Sequence, residues 1–432
     1  MNHALTWSLA TFTTGVIAGL SGMALGLLLR ALQRIAFNYG AHSADHETFL
    51  EGVLATSPLQ RVLVLCLCGL VAGVGWWALY RYGRPLVSVE DVLKDPKRFM
   101  PLLSTCADAI LQIVTSALGS PLGREAAPRE LSAAVTNYFS NLAGLDPEIR
   151  RVMVACAAGA GLAAVYNVPL SGALFTLEVL LGTFALPALM AALATSAIAT
   201  VVARIGLGDA PAYLVPPLLV SSSLIAWSIV AGPIFGLLAS LFAFSVKAVR
   251  KMAPRDWRLL LWSAIVLAII GLLAVPYPQL LGNGKGLEEL GFSNTLNPTL
   301  GVVLFLLKAI VVVAALRAGM RGGLLTPELA LGGIVGLVLG AVWNHIWPAV
   351  PGGAFVIVGS TAFLAASSRM PITAIALIME FTRINADFLI PISFAIVGSL
   401  AAFELCNRAL RGAGATSEGY SAAAPDRVIQ NG

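Results

Sequence analysis

Apolar runs of about 20 residues without a single charge recur along this chain, and each is long enough to cross a bilayer core of about 30 Å as a helix. They include 9–29, 62–80, 179–203, 210–246, 259–284 and 329–368. Only 11% of the 432 residues are Asp, Glu, Lys or Arg, and 58% are hydrophobic. A soluble domain carries about 25% charge, so this chain has too few charges to cover a globular surface and is too apolar to stay unfolded. A water-soluble protein is excluded, and the expectation is an all-α polytopic membrane protein. The net charge of +5 is scattered in short loops. Without a block of like charges it gives no sign of a nucleic-acid groove.

The five cysteines, Cys66, Cys68, Cys106, Cys156 and Cys406, lie in or beside apolar stretches. Their odd number and the Cys66-x-Cys68 spacing read as buried free thiols rather than disulfides or a zinc site. His42, His46 and Glu47 fall in a polar loop, where a solvated segment is the reading against a metal-binding face. No metal and no cofactor is expected.

The first apolar run lacks a basic start and continues into Arg30 and Arg34, so it reads as a first membrane helix and not as a cleaved signal. The loop 38–58 has no Lys or Arg and carries Asp45, Glu47 and Glu51, whereas 81–98 carries Arg81, Arg84, Lys94, Lys97 and Arg98. The positive-inside rule places the first outside and the second in the cytoplasm. The basic run 247–258 is then a further cytoplasmic loop. Both termini are expected on the cytoplasmic side of a cell inner membrane. Residues 1–412 form one membrane domain, with halves at about 9–206 and 210–410, and 413–432 form a short polar tail with no room for a regulatory domain.

Some apolar pieces are too short for simple spans. The piece 153–166 is followed by Asn167-Val168-Pro169, and 363–368 by Arg369-Met370-Pro371. Helices broken at membrane depth are tolerated where their freed backbone groups line a polar cavity or meet a substrate. Self-comparison links these two places. Residues 161–178 align without a gap onto 363–380, with Leu-Ala-Ala, Pro169 with Pro371, and Glu178 with Glu380 in register 202 residues apart. A second pair, Gly123-Arg124-Glu125-Ala126-Ala127-Pro128 and Arg321-Gly322-Gly323-Leu324-Leu325-Thr326-Pro327-Glu328, sits 199 residues apart. Two homologous halves in one membrane chain imply an inverted repeat with a substrate site at its interface. Gly or Pro stands just ahead of each expected helix start, and free N–H groups at a helix N-terminus hold an anion without a full positive charge.

With these elements in order the sequence resembles the CLC family of voltage-gated-type chloride channels and chloride/proton antiporters, over roughly residues 10 to 410. Gly123-Arg124-Glu125 is similar to the start of the family's GREGP element, and Gly323-Leu324-Leu325-Thr326-Pro327 to its GxFxP element. The stretch 156–178 resembles the family's sequence just beyond GREGP. The resemblance implies a CLC-type fold of tilted, broken and half-length helices, a homodimer with one anion pathway per subunit, and chloride and protons as partners in the lipid bilayer. It makes Glu125 the gate and proton acceptor. Backbone amides around Gly323, Leu324 and Leu325 would face a central anion, and those of Gly123, Arg124, Ala126 and Ala127 an outer one. The alternative for Glu125 is a static ion pair with Arg124 or Arg129.

Departures from the pattern matter. Family antiporters often carry a second acid after the position of Glu178, and here that position is Val179. With Glu178 and Val179 as the inner relay region, the expectation is channel-like or weakly proton-coupled chloride movement. Strictly coupled chloride/proton or fluoride/proton antiport is the alternative. Glu178 and Glu380 otherwise read as structural partners of nearby helix ends. The family's GSGIP serine has no counterpart in register, leaving Ser88 as a displaced candidate against an ordinary loop serine. Tyr420 is the candidate for the family's late tyrosine, against a place in the tail. Ala126 and Ala127 replace the Gly and Pro of GREGP. An intramembrane serine protease is the remote alternative, because Gly19-Leu20-Ser21-Gly22 has a GxSG form and His345 is a conceivable base. Otherwise the chain is not expected to be an enzyme.

Overall fold

A computed structural model describes residues 3–37, 48–95, 98–348 and 350–421, the side chains of 410–421 excepted. His42, His46, Glu47 and residues 422–432 lie outside the described residues. The first half runs α1 (His3–Phe37), α2 (Phe49–Ala55), α3 (Pro58–Tyr82), α4 (Val89–Lys94), α5 (Leu102–Ala117), α6 (Ala126–Leu142), α7 (Pro147–Tyr166), α8 (Pro169–Phe175, continued by a π-helical turn Thr176–Leu181) and α9 (Leu186–Leu207). The second runs α10 (Ser222–Lys251), α11 (Arg258–Leu273), α12 (Lys285–Phe292), α13 (Pro298–Arg317), α14 (Leu325–Trp343), α15 (Gly352–Ser367), α16 (Pro371–Thr382) and α17 (Leu389–Ser421). The fold is all-α. Eight of the described helices are long and apolar enough to cross a membrane, which makes this a multi-pass membrane protein.

Local chemistry sets the boundaries. Ser57, Asp146, Ser221 and Asn297 each cap a helix by accepting a backbone N–H, and Pro58, Pro147 and Pro298 take first-turn positions where no N–H is needed. Several expected spans change accordingly. The piece 153–166 is the end of a 20-residue helix, α7, whose first turns hold Arg150 and Arg151. Run 329–368 is two helices, α14 and α15, parted near Pro348 and Pro351. Run 210–246 is helical only from Ser222, because Pro211, Pro216 and Pro217 keep the preceding stretch open. α17 continues to Ser421, into the expected tail, with no proline in it after Pro391 of its first turn.

The repeat is visible in the backbone. Asn167 and Arg369 are both left-handed, with φ of 59° and 53°. The next residues, Val168 and Met370, have φ/ψ of −129°/70° and −134°/64°, and Pro169 and Pro371 then start α8 and α16. Gly119 and Gly319, which follow α5 and α13, both have φ of 95°, a conformation that costs a glycine little. Equivalent turns thus bring equivalent helix starts into the centre of the molecule.

The GxSG stretch is a packing surface. A Cβ at Gly19 would meet Val202 on α9 at 2.6 Å, and one at Gly22 would meet Ala164 on α7 at 2.6 Å. His345, in the turn after α14, has Nδ1 2.9 Å from the Ala341 carbonyl and makes no hydrogen bond to Ser21. The pair forms no nucleophile and base.

Candidate functional site: an anion seat closed by a carboxylate

After α5 and after α13 a turn leads through a short irregular segment into the next helix, and the two segments pair at one residue each. Gly123 N–H donates to the Gly323 carbonyl, and Gly323 N–H donates to the Gly123 carbonyl, both at 2.8 Å. This antiparallel pair sets the N-termini of α6 and α14 against each other in the buried centre. Two positive helix ends with unpaired N–H groups in low dielectric attract an anion.

Glu125 fills that place. It stands just before α6, is fully buried, and turns its side chain toward α14. Oε1 accepts the Leu325 N–H at 2.7 Å, and Oε2 accepts the Tyr166 hydroxyl at 3.3 Å. Tyr166 in turn shares a 3.1 Å hydrogen bond with the Thr326 hydroxyl. A Cβ on either Gly123 or Gly323 would overlap the Glu125 carboxylate, so both glycines make room for it. The cations beside Glu125 are not its partners. Arg124 lies over the Tyr166 ring at 5.0 Å and Arg129 over the Phe175 ring at 4.3 Å, and neither forms an ion pair with Glu125. The static ion pair considered for Glu125 is therefore absent among the described residues. Ala126 and Ala127 form the first turn of α6, and Leu324 and Leu325 the start of α14.

A cavity of about 900 Å³ leads away from Glu125. Its walls include Glu90, Val179 and Glu328, and its mouth carries Lys247, Arg250, Lys251 and Arg255. Val89 and Glu90 of segment 81–98 and cations of the basic run 247–258, both expected on one side from the charge rule, line this same cavity. Clustered cations at the entrance of a low-dielectric cleft raise the local concentration of anions. Further in, Arg321 pairs with Asp108 at 2.9 Å and with Glu130 at 3.6 Å. Trp76 and Gln112 also donate to Asp108, at 2.7 and 2.9 Å. This cluster ties the segment before α14 to α5 and α6.

Glu178 and Glu380 are exchanged between the halves. Glu380, on α16, accepts the N–H groups of Leu170 and Ser171 at 3.0 and 2.8 Å and the Ser171 hydroxyl at 2.5 Å. Glu178 does the same for α16, accepting the N–H groups of Ile372 and Thr373 at 3.0 and 2.7 Å and the Thr373 hydroxyl at 2.6 Å. Each carboxylate caps the other half's broken helix. Val179 is 38% exposed and lines the cavity. The Ser88 hydroxyl caps α4 by accepting the Asp91 N–H at 3.1 Å, and hydrogen bonding of the Ser88 hydroxyl and N–H to the Asp91 carboxylate holds that carboxyl below its usual range. Tyr420 lies on α17 where side chains are outside the described set.

A model of the voltage gated chloride channel family matches residues 66–404, and the chain belongs to that family. An H(+)/Cl(-) exchange transporter ClcA from Cronobacter sakazakii (strain ATCC BAA-894) is 30% identical over 416 residues, covering 91% of this chain and 86% of that protein. The transporter of the same name from Klebsiella pneumoniae (strain 342) is 28% identical over 405 residues, covering 89% and 83%. Among solved structures, a slow cyanobacterial Cl-/H+ antiporter superposes with a TM-score of 0.77 at 19% identity, covering 92% of this chain and 94% of its own. A CLC-type fluoride/proton antiporter superposes with a TM-score of 0.67 at 21% identity, covering 94% and 97%. The likeness in fold extends over nearly the whole chain, and the family is one of membrane transport proteins rather than enzymes.

Sequence reasoning did not single out Tyr166, Thr326, Glu328 or the Asp108–Arg321–Glu130 cluster. Tyr166, Thr326 and Glu328 sat inside the repeated stretches, where a polar side chain between apolar neighbours at membrane depth is a signal of its own. The cluster had none, because its members come from α5, α6 and the segment before α14.

Proposed function

We propose that this protein moves chloride across a cell inner membrane in exchange for protons, with Glu125 as both gate and proton acceptor. The observation that carries the reading is the Glu125 carboxylate seated on the Leu325 N–H between two helix N-termini. A carboxylate and a halide compete for the same donors, so protonation of Glu125 frees the seat for chloride, and chloride leaves when the carboxylate returns. Exchange is favoured over a channel because the relatives that resemble this chain along most of its length are named H(+)/Cl(-) exchange transporters. The valine at position 179, from which passive movement was expected, moves the inner proton stop elsewhere and does not remove the gate. Backbone amides at Arg124, Ala126, Ala127, Leu324 and Leu325 supply the anion contacts, while those of Gly123 and Gly323, expected to join them, are spent on each other's carbonyls. Ser88 acts as a helix cap. Two copies assemble as a homodimer, each with its own pathway, since one chain supplies every residue of the seat.

Purified protein in liposomes loaded with chloride tests this. Outward chloride flux is expected to drive measurable proton uptake, and Glu125→Gln to abolish that uptake while chloride still moves. Wild-type liposomes that pass chloride with no accompanying protons, and no shift of reversal potential under a pH gradient, return the passive reading. A Glu125→Gln variant that keeps the wild-type pH response removes the gate assignment.

A further inference from the structure

A proton bound for Glu125 from the basic mouth must cross the cavity, and a proton needs ionisable or hydrogen-bonding stops on the way. The acids beside this route differ in what holds them. Asp108 and Glu130 are committed to Arg321, so taking a proton would cost each an ion pair. Glu178 and Glu380 cap backbone N–H groups, which have no use for a protonated carboxyl. Glu90 is exposed at the entrance.

Glu328 is different. It is 4% exposed and lines the cavity that reaches Glu125. Its Oε2 accepts the hydroxyls of Ser367 and Ser368, at 2.8 and 2.6 Å, and among the described residues no cation lies within ion-pair distance. A hydroxyl can donate to a carboxylate and accept from a carboxylic acid, so this environment accommodates both protonation states. Among the described residues Oε1 has no hydrogen-bond partner, which leaves it open to water entering the cavity. Glu328 also stands on the helix whose first amide holds Glu125: it is three residues past Leu325, about 4.5 Å along the α14 axis. Of the charged groups on the same cavity, Glu125 and Arg250 of α10 act on it directly, and Glu90, Arg129 and Glu130 of α6, Lys247, Lys251, Arg255 and Arg321 line the walls with it, while Ser367 and Ser368 at the end of α15 supply its hydroxyls.

We infer that Glu328 is the internal proton stop of this transporter, passing protons between water at the basic mouth and Glu125 in place of an acid at position 179. The inference rests on the exchange reading above, and the experiment separates the two. Chloride efflux and proton uptake are recorded together in liposomes for wild type, Glu328→Gln and Glu328→Asp. The expected result is proton uptake in wild type, a ratio of protons to chloride at least tenfold lower in Glu328→Gln, and a ratio within about threefold of wild type in Glu328→Asp. Wild type without proton uptake overturns the exchange reading and the relay with it. A wild-type ratio in Glu328→Gln leaves exchange intact and overturns the relay alone. Loss of chloride and proton movement together in both variants assigns Glu328 a structural role and also overturns it.

Discussion

In the proposed exchange, one hydroxyl, that of Tyr166, would set the balance at the seat. Its proton goes to the Glu125 carboxylate, and the Thr326 hydroxyl, placed by the first turn of α14, can donate to it in turn. A hydrogen bond to a charged group contributes about 1.5–3 kcal/mol. Tyr166→Phe is therefore expected to loosen the seated carboxylate and raise chloride flux at fixed pH by about tenfold, where 1.4 kcal/mol is one factor of ten. Chloride efflux at constant pH checks this, and unchanged efflux would show that the bond does not hold the gate. Thr326→Val should move flux in the same direction by less, since it acts through Tyr166. The glycines give a complementary case. Gly323→Ala places a methyl group where the carboxylate sits, so its flux should lose pH dependence as Glu125→Gln does, read by efflux across a pH series.

Broken helices are the element on which the architecture turns, and much of their arrangement could be read from the chain. The prolines at 169 and 371 and the acids at 178 and 380 announced paired helix starts, because backbone chemistry at a helix terminus is local. That each acid could bind a helix end was legible too, but which helix was not, since the N–H groups it meets belong to the opposite half, roughly two hundred residues away. The same limit hid Arg321, whose partners lie on α5 and α6. Span lengths were misjudged where charge sat inside a real helix, as at Arg150 and Arg151 in α7, or where apolar composition ran through a proline break between α14 and α15. If Glu178 and Glu380 are caps, then Glu178→Gln and Glu380→Gln should each cost about 2 kcal/mol, the worth of a charged hydrogen bond. Thermal unfolding in detergent should register equal losses while the proton-to-chloride ratio stays at its wild-type value. A changed ratio in Glu178→Gln alone would return that residue to the proton route.

At the scale of the molecule, the halves differ as usefully as they match. Both lend a helix N-terminus to the centre, yet only the first carries an acid at the position that reaches across; its counterpart next to Gly323 is Leu324–Leu325, which offers amides alone. One side supplies the plug and the other the socket. The Gly123–Gly323 contact fastens them at this spot through two mutual backbone hydrogen bonds. Swinging one half against the other, as many carriers do, would break this pair and with it the proposed seat. What is left to such a machine is to swap occupants one side chain at a time, so its turnover should be insensitive to cross-links that freeze the scaffold and acutely sensitive to anything that stiffens a single glutamate.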